Sequence, residues 1–268
     1  MMRARWYLAS LGIVLLVLCG WFVVVHARAW FSVATEYLRY GYVLSPHVER
    51  RTAMIDGELV SLLFIPIQDD VTWGFANDPS AIQSVHEWRG SLNASVVING
   101  AYFTETQQPA GYFSIDGNAN MACPIVPDVR DAALGYTFAV WITDGLLEFG
   151  STVDHPEICG GPDVPPVTAF TSFPTLVYQD ATRIEKDSEL KARRTMLAET
   201  VDGVKSIVIT ESGELTLYDA AQWFLAQHEE YAIVGNLDGG QSTGLSMRGE
   251  RWNIEIPSSA VPNVIWGR

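Results

Sequence analysis

The residues best suited to chemistry lie in one short stretch near the C-terminus, NLDGGQSTG, which occupies positions 236–244. It combines one carboxylate, Asp238, with the hydroxyls of Ser242 and Thr243 and with a pair of glycines. Glycines let backbone N–H groups approach a ligand closely, and successive N–H groups form a concavity that binds anions. A glycine-rich turn that carries a solvated aspartate is the alternative interpretation of the same residues.

The elements that precede this stretch are predicted to be a strand, a helix and a strand. Residues 206–210 and 231–237 are apolar, β-branched runs typical of strands. Between them, Thr216 and Asp219 have the spacing of a capping box and open a helix with apolar positions every three to four residues. Such a unit usually forms a right-handed parallel crossover, and ligands bind at its strand ends. The pattern therefore places Asp238 at a strand end.

The pattern as a whole predicts a single α+β domain, with a mixed β-sheet flanked by helices and one βαβ unit near the C-terminus. A buried strand is expected at 95–98 and a hairpin at 138–149, around the turn residues Asp144 and Gly145. The chain is divided into a leading segment 1–29, a lead-in 30–94 and a core 95–268.

The leading segment has the marks of a secretory signal peptide. Arginines at positions 3 and 5 precede an apolar run at 11–25, and Ala27-Arg28-Ala29 provides small residues at a cleavage site. An uncleaved membrane anchor is the alternative, because the run is about long enough to cross a bilayer. Both outcomes place the rest of the chain outside the cytoplasm, and membrane contact is expected only through this segment.

The charge of the chain limits its partners. The formal net charge is −14 at pH 7. So acidic a protein repels nucleic acid, and no nucleic-acid partner is predicted. A phosphate-bearing substrate would need a local cationic clamp, because the overall field opposes it.

Two cysteines remain outside the leading segment, Cys123 and Cys159. In an oxidising compartment they predict one disulfide, with two unrelated buried thiols as the alternative. The histidines are scattered, and no spacing typical of a zinc site is present. No metal and no cofactor is predicted.

Four motifs in a fixed order give the chain a resemblance to a known family. They are Asn-Gly-Ala-Tyr-Phe at 99–103, Arg194-Thr195, the stretch 236–243 after its helix, and the segment 253–265 with Pro257-Ser258-Ser259. Together they resemble the phosphodiester glycosidases, from about residue 95 to the C-terminus. Ala101 and Gln241 depart from the family pattern, since glycine is usual at both positions, and Ser172-Phe173-Pro174 replaces a Ser-Gly-Pro-like turn.

The resemblance implies a secreted hydrolase that cleaves a sugar-1-phosphodiester at the glycosidic bond, in cell-envelope or exopolysaccharide metabolism. Arg194 is the expected phosphate ligand, with Arg193 as its competitor, because a guanidinium donates two parallel hydrogen bonds to phosphate. Asp238 is the expected carboxylate, acting as a base for water, a charge stabiliser or an acceptor from a sugar hydroxyl. Asn99 is expected to donate to an oxyanion or bind a sugar hydroxyl.

The other residues expected to bind substrate belong to the loop or follow the Asn and Arg motifs: Gly239, Gly240, Gln241, Ser242, Thr243, Tyr102, Phe103 and Thr195. Alternation along a strand predicts that only one of the two aromatic rings faces the pocket. A non-catalytic protein that binds a glycan or cell-envelope polymer is the alternative function, suggested by Ala101 and Gln241. Both functions require Asn99, Arg194 and Asp238 to share one cleft.

Overall fold

Antiparallel β-sheet makes up most of the chain that the computed structural model describes, which is residues 48–120, 137–155, 158, 167–179, 181–182, 184–249 and 252–268. These residues all belong to one compact unit, His47–Arg268. They form seventeen strands and two α-helices.

The strands in chain order are β1 (Glu49–Ile55), β2 (Glu58–Pro66), β3 (Trp73–Asn77), β4 (Val96–Asn99), β5 (Phe113–Ile115), β6 (Asn118–Ala119), β7 (Phe138–Thr143), β8 (Leu146–Ser151), β9 (Thr168–Ser172), β10 (Thr175–Tyr178), β11 (Ala181–Thr182), β12 (Thr195–Thr200), β13 (Lys205–Ser212), β14 (Tyr231–Asn236), β15 (Leu245–Arg248), β16 (Asn253–Ile256) and β17 (Asn263–Gly267). The α-helices are α1 (Val85–Leu92) and α2 (Leu217–Leu225), and a 3-10 helix covers Gly240–Ser242.

Three sheets carry these strands. The seven-stranded sheet has the order β1-β2-β13-β12-β14-β10-β11. One five-stranded sheet has the order β16-β15-β4-β17-β3, and the other has the order β6-β5-β9-β7-β8. Every pairing among these described strands is antiparallel.

The expected α+β fold, with a mixed sheet flanked by helices, is wrong. β13, α2 and β14 do follow one another where the pattern predicts them, but both strands pair with β12, which lies between them and runs antiparallel to each. The local pattern does not reveal this arrangement, because a strand buried on both faces is a continuous apolar run whatever the direction of its neighbour. β13 is such a strand, since Ile207, Val208 and Ile209 are all fully buried.

Both helices begin with capping boxes. The predicted box of α2 is confirmed: the Thr216 hydroxyl accepts from the Asp219 N–H, and the Asp219 carboxylate accepts from the Thr216 N–H at 3.1 Å. Ser84 and Glu87 cap α1 in the same way. The apolar side of α2 packs on the seven-stranded sheet, where Ala221 and other buried residues join one core cluster.

Aromatic side chains join the sheets to one another. Phe75 of β3 packs against Phe113 of β5 and Phe170 of β9, with ring centroids 6.3 and 5.0 Å away. Gly235 of β14 lies against the ring of Phe138 in β7, where an added Cβ would come within 2.2 Å of ring carbons. The three sheets therefore share a packed interior, and the strand ends of two of them meet at one edge.

Several sequence-based predictions fall outside the described residues. These are the leading segment 1–29 and the disulfide between Cys123 and Cys159. Within the described ranges, no helix has the length and apolarity to cross a membrane. Residues 48–94 provide β1, β2, β3 and α1, which are built into the sheets. The division of the chain at residue 94 stays a prediction.

Candidate functional site

Three strand ends meet at the glycine-rich loop. β4 ends at Asn99, β12 begins at Thr195, and β14 ends at Asn236, two residues before Asp238. β12 and β14 are neighbours in one sheet, with Met196 opposite Asn236. β4 belongs to another sheet, and its last residue makes the connection, because Asn99 Nδ2 donates to the backbone oxygen of Asp238 at 2.7 Å.

The buried side chain of Asn99 holds this junction together. Its Oδ1 accepts from the Thr195 hydroxyl at 2.7 Å and from the Gly244 N–H at 3.2 Å. The backbone of the next residue also takes part, since the Asp238 N–H donates to the Gly100 carbonyl at 3.3 Å. Both the nitrogen and the oxygen of the Asn99 side-chain amide are therefore hydrogen-bonded, and these bonds position the loop. Direct contact between Asn99 and a substrate stays a prediction.

Arg194 places a buried cation beside the loop. Its side chain is held by two backbone carbonyls: Nε donates to Leu215 at 3.1 Å and Nη2 donates to Leu190 at 2.8 Å. No carboxylate forms an ion pair with it among the described residues. Burial lowers the pKa of Arg194, and nearby Tyr102 and Glu214 oppose that shift. A buried cation without a carboxylate partner is costly, and binding an anion would offset that cost.

Gly239 lets the loop approach this guanidinium. A Cβ at that position would lie 3.1 Å from the Arg193 carbonyl oxygen and 3.5 Å from Arg194 Nη1. The backbone of Gly240 is also fixed here, because its N–H donates to the Arg193 carbonyl at 2.8 Å. The two residues Arg194 and Asp238 are thus brought to one place by the loop between β14 and the 3-10 helix.

The neighbouring arginine has a different environment. The guanidinium of Arg193 donates to the carbonyl of Pro257 through Nη1 and Nη2, at 3.2 and 3.1 Å. It is more exposed than Arg194 and ties the C-terminal segment to the loop. The geometry therefore separates the two candidates: Arg194 faces the glycine loop, and Arg193 holds the segment around Pro257.

Asp238 turns its carboxylate back onto its own loop. Oδ1 accepts from the Gly239 N–H at 2.9 Å, and the Ser242 hydroxyl also bonds the carboxylate. Burial raises the pKa of Asp238, and the bonds from Ser242 and Gly239 partly oppose that rise. The carboxylate forms no ion pair with Arg194 in the described structure. Two opposite charges thus lie at one junction without neutralising each other.

The two aromatic residues after Asn99 point different ways, as alternation predicts. Phe103 packs against the core cluster around α1. Tyr102 stacks on Phe173, with ring centroids 4.5 Å apart, and its hydroxyl accepts from Asn236 Nδ2 at 2.6 Å. Tyr102 therefore belongs to the site side and Phe103 to the core side.

The rest of the loop packs on the segment after β16. The Gln241 carbonyl accepts from the Ser259 N–H at 2.8 Å, although the Gln241 side chain is exposed. Gly244 has no room for a side chain, since a Cβ would lie 2.5 Å from Ser258 Cβ. Thr243 is fully buried, and its hydroxyl has no hydrogen-bond partner among the residues that the structure describes. The loop therefore packs against the segment after β16 and is not surrounded by solvent, which disfavours the interpretation as a simple solvated turn.

Some residues of this site were not singled out by sequence reasoning. Asn236 is fully buried and donates to the Tyr102 hydroxyl and to the carbonyls of Phe173 and Leu237. Its position as the last polar residue of a buried strand is a signal that could have identified it. The carbonyls of Leu190 and Leu215 could not be identified from the sequence, because every residue has a backbone carbonyl and the residue type does not indicate which one is used.

A cavity of about 260 Å³ lies at the other end of the seven-stranded sheet, where Thr200 of β12 and Tyr231 of β14 line it. It contains Arg51, but this guanidinium is bound by Glu49 and Glu229 and is already neutralised. The cavity therefore lacks the available cation that marks the Arg194 junction. Across the described residues, no group of three or more His, Cys, Asp or Glu side chains could hold a metal ion.

Comparison with known proteins relates the fold to solved structures. A family model described as phosphodiester glycosidase matches residues 92–266. The catalytic domain of zebrafish N-acetylglucosamine-1-phosphodiester alpha-N-acetylglucosaminidase, auto-inhibited by its pro-peptide, has a TM-score of 0.58 and 17% identity, over 84% of this chain and 84% of that chain. A hypothetical protein from Synechocystis has a TM-score of 0.55 and 14% identity, over 82% of this chain and 61% of that chain. A comparison with curated proteins finds no match.

Proposed function

Because the chain belongs to the phosphodiester glycosidase family, we propose that it hydrolyses the bond between a sugar and the phosphate of a sugar-1-phosphodiester. The family supports a glycosidase-type hydrolase acting on a glycan or sugar phosphate. The observation that carries the finer proposal is the buried guanidinium of Arg194. It is held by two backbone carbonyls, lies against the Gly239 backbone, and forms no ion pair with a carboxylate in the described part of the chain.

A phosphodiester fits the electrostatics of this junction. It carries one negative charge and presents planar pairs of oxygens to a guanidinium. Nε and one N–H of Nη2 are used by Leu215 and Leu190, which leaves Nη1 and the second N–H of Nη2 as donors. A monoanion at this place would neutralise Arg194 in a chain whose net charge is otherwise strongly negative.

Asp238 is assigned to the sugar side of the same junction. Attack of water at the anomeric carbon breaks the C–O bond and releases the phosphomonoester with both bonding electrons. A phosphate leaving group is already stable as an anion, so the reaction does not need a strong acid. It needs a group that stabilises positive charge on the sugar ring and accepts the proton of the attacking water. The partly buried carboxylate of Asp238 can do both, and burial raises its pKa and its basicity.

The proposed place of action is outside the cytoplasm, with a sugar phosphodiester of the cell envelope or an exopolysaccharide as substrate. The support is the arginine-led apolar run at 11–25 with its Ala-Arg-Ala site. The zebrafish relative is named for an N-acetylglucosamine-1-phosphodiester, and we adopt that compound class as the first substrate to test.

The test is hydrolysis of a methyl diester of N-acetylglucosamine-1-phosphate in water enriched in ¹⁸O. The proposal expects release of free sugar, with the label in the sugar and none in the phosphomonoester. Label in the phosphate would mean cleavage of the P–O bond and would contradict the assignment of Asp238 to the anomeric carbon. Tight binding of the diester without any turnover would instead favour the non-catalytic glycan binder.

A further inference from the structure

The hydroxyl of Tyr102 lies at the same junction as Arg194 and Asp238. Its oxygen accepts from Asn236 Nδ2 at 2.6 Å, and the same Nδ2 donates to the carbonyl of Leu237 at 2.7 Å. The hydroxyl therefore lies close to the peptide that leads into Asp238. Its position relative to Arg194 follows from the pairing of the strands.

The register of the seven-stranded sheet places Asn236 and Arg194 on one face. Asn236 of β14 is directly opposite Met196 of β12, so their side chains share a face. The ladder between β12 and β13 continues to Arg194, whose carbonyl accepts from the Thr210 N–H at 2.9 Å. Arg194 precedes Met196 by two residues, and alternation along a strand puts both side chains on the same face. Arg194 and Asn236 are therefore diagonal neighbours, roughly 7–8 Å apart, a separation that long side chains span.

The electrostatics and the exposure of Tyr102 agree with this placement. Burial lowers the pKa of Arg194, and Tyr102 is the first of the nearby groups that oppose that shift. The Tyr102 side chain is half-buried, and one face of its ring is covered by Phe173, whose ring centroid is 4.5 Å away. The hydroxyl, rather than the ring, is therefore the part of Tyr102 that meets a ligand bound at Arg194.

The bond from Asn236 determines the direction in which the Tyr102 hydroxyl donates. Asn236 is fully buried, and its Nδ2 also donates to the carbonyls of Phe173 and Leu237, which fixes the orientation of its amide. An amide nitrogen is a donor only, so the Tyr102 oxygen is the acceptor and its O–H proton points away from Asn236. Asn236 is therefore a positioning residue, and it turns the Tyr102 hydroxyl into an oriented donor beside Arg194.

We propose that the Tyr102 hydroxyl is a further catalytic group, which donates a hydrogen bond to the substrate phosphate held by Arg194. The inference rests on the proposed hydrolysis of sugar-1-phosphodiesters and adds a residue to its mechanism. When the bond between the anomeric carbon and the oxygen breaks, both bonding electrons pass to the phosphate, and the proton of the attacking water passes to Asp238. The negative charge of the phosphate grows in this step, so a donor to it binds the transition state more tightly than the substrate.

The experiment compares the full chain with Tyr102→Phe on a methyl and a trifluoroethyl diester of the same sugar-1-phosphate. The variant keeps the ring on Phe173, and Asn236 keeps its carbonyl acceptors. For the methyl diester, kcat/KM is expected to fall by about 10- to 150-fold, mostly through kcat, because that is the contribution of one hydrogen bond to a charged group. The trifluoroethyl diester releases a less basic phosphomonoester, which needs less stabilisation, so the loss is expected to be smaller for this compound.

Tyr231→Phe is the matched control. The Tyr231 hydroxyl donates to Glu229 at 2.9 Å, and Tyr231 lines the cavity at the other end of the seven-stranded sheet. The control therefore loses a hydrogen bond to a charged group far from the junction, and it is expected to keep kcat/KM for both diesters within about threefold. All chains are assayed at a temperature at which each of them is folded.

Three results would overturn the role of Tyr102. Turnover by the parent chain with an unchanged kcat/KM in Tyr102→Phe overturns it and leaves the proposed function intact. An equal loss for the two diesters does the same, because a residue that only supports the structure would not respond to the basicity of the leaving phosphate. No turnover of either diester by the parent chain overturns both proposals.

Discussion

Replacing Arg194 by lysine is expected to remove most of the catalytic efficiency toward a sugar-1-phosphodiester while keeping the positive charge. The lysine would retain a point charge but lose the planar pair of donors that a phosphate accepts. It would also lose the bonds from Nε to Leu215 and from Nη2 to Leu190 that now orient the guanidinium. The ammonium would therefore be both less well matched and less well placed.

The magnitude follows from the donors that remain for a ligand. Of the N–H groups of Arg194, one on Nε and one on Nη2 are used by carbonyls, which leaves three. Hydrogen bonds to charged groups contribute about 1.5–3 kcal/mol each, so the loss of two oriented bonds costs about 3–6 kcal/mol before the new ammonium bonds are counted. With one ammonium bond recovered, the net loss is about 1.5–3 kcal/mol, so kcat/KM is expected to fall by about 10- to 150-fold.

The assay is release of free sugar from the methyl diester, with unfolding temperature measured on the same samples. Arg193→Lys is the matched control, because Arg193 adjoins Arg194 in sequence and donates to Pro257 instead of facing the glycine loop. This variant is expected to keep kcat/KM within about threefold, the effect of a changed surface contact. Inorganic phosphate should inhibit the parent chain and Arg193→Lys competitively, and should inhibit Arg194→Lys much less.

Two results would refute this reasoning. One is an equal loss of kcat/KM in the two lysine variants, because replacing a phosphate ligand should lower kcat/KM far more than replacing a residue that supports the C-terminal segment. The other is an Arg194→Lys chain that keeps its efficiency and its sensitivity to phosphate. A loss of activity accompanied by unfolding at the assay temperature would mean that the bonds to Leu190 and Leu215 stabilise the fold, and activity would then be compared at a lower temperature.

Three further changes test other parts of the site. Asp238→Asn is expected to lower kcat by at least about 10²-fold. The same change should raise the unfolding temperature at neutral pH. Burial raises the pKa of Asp238, so ionisation of this carboxyl costs the parent chain stability as the pH rises from about 3.9 through the native pKa. A gain in unfolding temperature that persists unchanged below about pH 3.5 would contradict this. Thr195→Val removes the donor to Asn99 Oδ1 and is expected to cost about 1–3 kcal/mol in urea unfolding, whereas Thr195→Ser should cost much less. Gly235→Ala places a methyl group within 2.2 Å of the Phe138 ring and is expected to destabilise the fold by at least about 2 kcal/mol; an unchanged unfolding midpoint would contradict the packing of β14 on β7.

Much of the local structure could be predicted from the sequence. The capping box of Thr216 and Asp219 and the hairpin of β7 and β8 form where the pattern indicates. The glycine loop follows a buried strand, as expected. These features depend on residues close together in the chain, so the types and spacing of a few side chains are enough to specify them.

The order and pairing of the strands were decided by tertiary packing. β12 inserts between β13 and β14, so these two strands run in the same direction but do not pair, and each pairs antiparallel with β12. Nothing in an apolar run of five residues specifies its neighbour, because the pairing is settled by how all three sheets bury their faces. The sequence indicated the family through its ordered motifs, and the family model confirms it over residues 92–266.

The roles of individual site residues also depended on the tertiary structure. The sequence proposed Asn99, Arg194 and Asp238 and left Arg193 as a competitor. Only the fold shows that Arg194 is buried against the loop while Arg193 reaches Pro257, and that the Asn99 amide supports the backbone of Asp238. The physical reason is that burial and hydrogen-bond partners in the site come from segments up to 145 residues apart, whereas the sequence by itself determines only which chemical groups are present.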